Sequence, residues 1–69
     1  MTNEQAITEL FKRWGSQAEL DFSLKREAQY GPDFRYFVSS PFGPGFCYGY
    51  GNSWEAAFED ADRRALLKI

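Results

Sequence analysis

Apolar and polar positions along the chain change period twice, and each change marks an element. From Asn3 to Trp14 the apolar residues Ile7, Leu10, Phe11 and Trp14 recur at helical spacing, with Ala6 beside them. Thr2 and Gln5 form a capping-box pair at the start, Glu9 and Arg13 pair across one turn, and Gly15 supplies the stop. From Leu20 the period becomes two. Leu20, Phe22 and Leu24 alternate with Asp21, Ser23 and Lys25, which predicts a strand with one buried side. "YGPD" (Tyr30 to Asp33) predicts a turn, "FRYFVSS" (Phe34 to Ser40) a second strand, "PFGPG" a second turn and "FCYGY" (Phe46 to Tyr50) a third strand. The helical period returns at about Ser53, with Asn52 or Ser53 as cap. Trp54, Phe58, Ala61 and Ala65 form the inner stripe of this last helix, widened by Ala57 and Ile69.

The predicted fold is α+β: an α-β-β-β-α chain whose three strands make an antiparallel meander, with both terminal helices on one face. At 69 residues the chain holds one domain, residues 1–69, without repeat or linker. A core this small is marginal. Cys47 is the single cysteine and there is no histidine, so an internal disulfide and the commonest metal ligand are both excluded. Self-association is the reinforcement left, and a homodimer is expected. The polar "TNEQ" after Met1 is not a secretory leader, and no apolar run approaches the roughly 18 residues of a membrane span. Together with the unpaired thiol, this predicts a cytoplasmic chain without a membrane contact.

Glycine crowding in "FGPGFCYGYGNSWEAA" raises phosphate binding as an option, but the spacing does not support it. A frame opened at Gly43 reaches Tyr48 at its sixth position, and one opened at Gly49 reaches Trp54, where a dinucleotide loop needs glycine. No lysine lies between Arg26 and Lys68 to complete a P-loop. The glycines read instead as turns and as the thin side of a strand against which another element packs. Cys47 lacks a histidine to activate it and reads as a small core residue. No residue set suggests catalysis or a cofactor, so the chain is expected to be non-enzymatic.

Two groups leave their role open. Glu55, Glu59 and Asp62 share one side of the last helix, and Leu66 continues the row. This is either a solvated face or a patch for a basic surface on another protein, with Leu66 or Leu67 as apolar anchor. Tyr36, Tyr48 and Tyr50 are either core or, if the small residues Cys47 and Gly49 face the helices, an exposed aromatic surface suited to a protein partner.

The element order, the "GPD" turn and the string "GYGNSWEAAFEDADRRALL" resemble the double-stranded RNA-binding domain. That resemblance implies nucleic-acid binding through Lys12, Arg13, Lys25, Arg26 and Arg35. The family grips phosphates with lysines at the start of its last helix, where this chain has the acidic "WEAAFED", which repels a nucleic-acid backbone. With ten acids against eight bases, nucleic acid is the less expected partner. The ending "SWEAAFEDADRRALLKI" resembles small bacteriophage accessory proteins with an α-β-α sandwich, among them anti-activators that bind and disable a quorum-sensing regulator. That resemblance implies a phage protein that inhibits a host protein, such as the DNA-binding part of a transcription regulator, by occlusion.

Overall fold

The computed structural model describes residues 1–40 and 47–67, with the side chains of Leu66 and Leu67 outside the description. The predicted "PFGPG" turn, Phe46 and Ile69 also lie outside the described residues. Helix α1 (Asn3–Trp14) begins at the expected capping box and stops at Gly15, whose φ is 89°. β1 (Glu19–Phe22), β2 (Tyr36–Ser39) and β3 (Tyr48–Gly51) form one antiparallel sheet in the order β1-β2-β3. α3 (Trp54–Leu67) closes the described chain, with the Ser53 hydroxyl accepting the Ala56 N–H as its cap. The α+β meander expected from the sequence is therefore present.

An additional helix, α2 (Leu24–Tyr30), follows β1 where the alternation of Leu20, Phe22 and Leu24 had predicted continued strand. Ser23 ends the strand by turning its side chain onto the Arg26 N–H, and good helix formers follow as far as Gly31. Pro32–Phe34 then make a short 3-10 turn, so Phe34 stands outside β2.

Both terminal helices cover the sheet face that carries Leu20, Val38, Gly49 and Gly51. α3 lies across β3 and β2 because the glycines offer no side chain. A Cβ on Gly49 would sit 2.1 Å from the Ala57 carbonyl oxygen, and one on Gly51 would sit 2.5 Å from the Ala57 nitrogen. The core contains Ala6, Leu10, Val38, Trp54, Phe58 and Ala61. Ala65, expected on the inner stripe, is exposed. α1 runs beside α3 in the same direction. The Trp54 indole donates to Asn3 (2.9 Å) near one end, and Arg13 meets Asp62 (2.7 Å) near the other.

Candidate functional site

The α1 stripe read from the sequence is only partly buried. Ala6 and Leu10 are sealed in the core and Trp14 meets Phe58 at a tilt, but Ile7 and Phe11 are 38% and 44% exposed. The reason is geometric. α3, thinned by alanine, fits closely on the glycines of β3, and α1 is left at the β1 side with less sheet to cover. Ile7 and Phe11 thereby become one side of an open groove of about 560 Å³, which is also lined by the four consecutive residues Ala18 to Asp21. Arg26 and Phe37 carry the lining onto the opposite sheet face. Phe22, at the end of β1, is 46% exposed and touches Tyr36 edge-on. Sequence periodicity could not separate these residues from the core, because their spacing is correct for a core.

The acidic row on α3 is exposed at Glu55, Glu59 and Asp62, but two of its charges are already engaged. Arg13 bridges Glu9 (2.8 Å) and Asp62 (2.7 Å), and the Met1 amine lies 3.3 Å from Glu55. The Glu55 carboxyl is held below its usual range by a backbone N–H and by that amine. α3 extends through Leu66 and Leu67, whose side chains lie outside the description.

The tyrosines divide between the two faces. Tyr36 is half-buried under the helices, its ring against Trp54 at 4.6 Å. Tyr48 and Tyr50 alternate with the packed glycines and stand on the opposite face with Phe37. Phe34 joins them there, its ring 5.3 Å from Tyr50, rather than lining up with Tyr36 as the longer predicted strand implied. Arg26 lies over Phe37 and Tyr50, and Arg64 over Tyr48 at 4.6 Å. This face is a half-buried aromatic layer clamped by two cations.

Of the five cations considered for nucleic acid, three are tied down. Arg13 holds two carboxylates, and Arg26 donates to the Phe34 carbonyl (2.6 Å) and to Asp21 (3.0 Å). Arg35 grips both oxygens of Glu27, whose carboxyl is lowered by that hydrogen bond. Lys12 and Lys25 are exposed. Cys47 is buried, its thiol donating to the Ala61 carbonyl at 3.0 Å, as a small core residue would.

The two sheet edges are treated differently. On β3, the Tyr50 N–H donates to the Asp60 carboxylate (3.0 Å), which also receives Arg64 at 2.8 Å. Burial opposes the charge of Asp60, but the N–H and Arg64 outweigh it, and the carboxyl sits below its usual range. On β1 no described residue takes the corresponding place. No described helix is long and apolar enough to cross a membrane. Comparison with models of known protein families, with curated proteins and with solved structures gave no match.

Proposed function

We propose that this chain is a non-enzymatic binding module that docks on another protein and blocks one of its surfaces. The observation that carries this reading is the exposure of Ile7 and Phe11 beside an open groove, at positions whose spacing belongs to a core. In so small a chain, large apolar side chains left outside at a groove are the usual material of a protein contact. The acidic row on α3 is the weaker candidate surface, since Arg13 and the Met1 amine already hold two of its three acids. Engagement of Arg13, Arg26 and Arg35 within the fold favours a protein partner over a nucleic acid. The resemblance to phage inhibitors adds that the partner would be a host regulator, inhibited by occlusion.

The test pairs two variants against a partner captured from the native host and then purified. Ile7→Asp with Phe11→Asp should weaken binding by about tenfold or more. More than half of each side chain is covered, so the melt falls as well, and binding is compared at a temperature where dichroism shows both proteins folded. Glu55→Lys with Glu59→Lys should weaken it far less. If the first pair binds like the parent, the apolar surface is not the docking site.

A further inference from the structure

β1 is the outermost strand on its side of the sheet, and its main-chain groups can be assigned a direction. In an antiparallel ladder successive residues turn their N–H and C=O alternately to the two sides. The Ser23 N–H donates to the Arg35 carbonyl (2.9 Å), so Asp21 and Glu19 also turn toward β2. Leu20 and Phe22 therefore point their main-chain groups away from the sheet, toward the open side.

Side chains around this edge differ in chemistry between the two faces. On the helix-covered face stand Leu20 and Phe22, with Ile7 and Phe11 across the groove. On the other face stand Glu19 and Asp21, both exposed. Asp21 has Arg26 at 3.0 Å, and Glu19 has no ion pair among the described residues. An incoming strand would thus find an apolar side alternating with a side on which Glu19 is the unpaired acid and Asp21 is held by Arg26.

We propose that the open edge of β1 takes up one extended segment of a partner protein, in which lysine or arginine alternates with apolar residues. This rests on the binding-module reading above. Main-chain hydrogen bonds to Leu20 and Phe22 supply the pairing, and alternate side chains select the sequence. A second copy of the chain fits poorly. With Leu20 opposite Leu20 of the other copy, Glu19 faces Asp21; with Leu20 opposite Phe22, Asp21 faces Asp21. The remaining register pairs little beyond Phe22 before α2 begins at Leu24. Like charges placed opposite one another oppose the first two registers.

The probe is a short fluorescent peptide alternating valine and lysine, titrated onto the full chain by anisotropy. Beside it run the same peptide N-methylated at alternate main-chain nitrogens and a valine–glutamate peptide. The valine–lysine peptide is expected to bind and to slow amide exchange at Leu20 and Phe22. N-methylation, exchange of lysine for glutamate, or Glu19→Lys in the protein should each weaken it by about tenfold or more. Equal binding of the N-methylated peptide, protection at Tyr48 and Tyr50 instead, no binding, or edge protection in a dimer without peptide would each overturn the proposal. A captured partner that depends on Ile7 and Phe11 but not on the edge would leave the module reading intact while removing this one. A peptide bound as expected, with no such partner, would do the reverse.

Discussion

Gly49 and Gly51 decide how close α3 can come to the sheet, and the atoms they face are backbone. A methyl on Gly49 would lie 2.1 Å from the Ala57 oxygen and 2.6 Å from the Ala61 nitrogen, neither of which a rotamer change can move. Gly49→Ala should therefore lift α3 and cost about 2 kcal/mol or more, read as a lower urea midpoint by circular dichroism. A wild-type midpoint would mean that α3 does not lie where these contacts put it. The need for a thin strand was legible in the alternation of glycine with tyrosine from Tyr48 to Gly51. Which face the tyrosines took was not, because both orientations satisfy a period of two until the position of the helices is known.

The pairing of β3 with α3 has its own acid dependence. The Asp60 carboxyl ionises more readily in the folded chain than at its ordinary value of 3.8, through the Tyr50 N–H and Arg64 acting against burial. Its contribution is thus fully present above that value and is lost as pH falls through the lower folded value. Melting temperature should fall as pH drops below about 4, and Asp60→Asn should flatten that fall. An unchanged slope would show that the carboxylate is not held as described. Glu9, Glu27 and Glu55 are shifted in the same direction, so some slope remains in the variant. At this scale the alternation from Leu20 to Leu24 hides α2. The segment "SLKREAQY" carries a cap and helix formers, but Leu24 also extends the alternation begun at Leu20. A short amphipathic helix and a strand end share such residues, and the Ser23 hydrogen bond decided between them.

Across the whole molecule, the two tryptophans report on one seam. Trp14 meets Phe58 of α3 at 6.1 Å, and Trp54 meets Asn3 of α1. If α1 and α3 part only when the sheet unfolds, fluorescence and far-ultraviolet dichroism should give one urea transition. Fluorescence lost at lower urea than dichroism would show α1 detaching first. The two terminal helices, the antiparallel order of the three strands and the shared helix face were legible in hydrophobic period and caps, while α2 was not. The candidate surface was not. Ile7, Leu10, Phe11 and Trp14 fall on one stripe, and only the lateral seating of α1 separates those that face the core from those that do not. The homodimer expected from the small core is disfavoured at β1, where two registers set acid against acid and the third pairs little before α2.

Asp60 has a consequence for the kind of assembly this sheet can enter. A sheet with two free edges is a monomer in the polymer chemist's sense: each addition regenerates a growing end, and the product has no fixed length. With the outward Tyr50 N–H of β3 already held by Asp60 of its own helix, the second edge offers an incoming strand one donor fewer, and the valency falls toward one. A strand that added at β1 would leave that partly engaged edge two strands further on. Under the β1 proposal, growth beyond a complex of defined size would be disfavoured, and the chain would act on an extended partner as a terminator does.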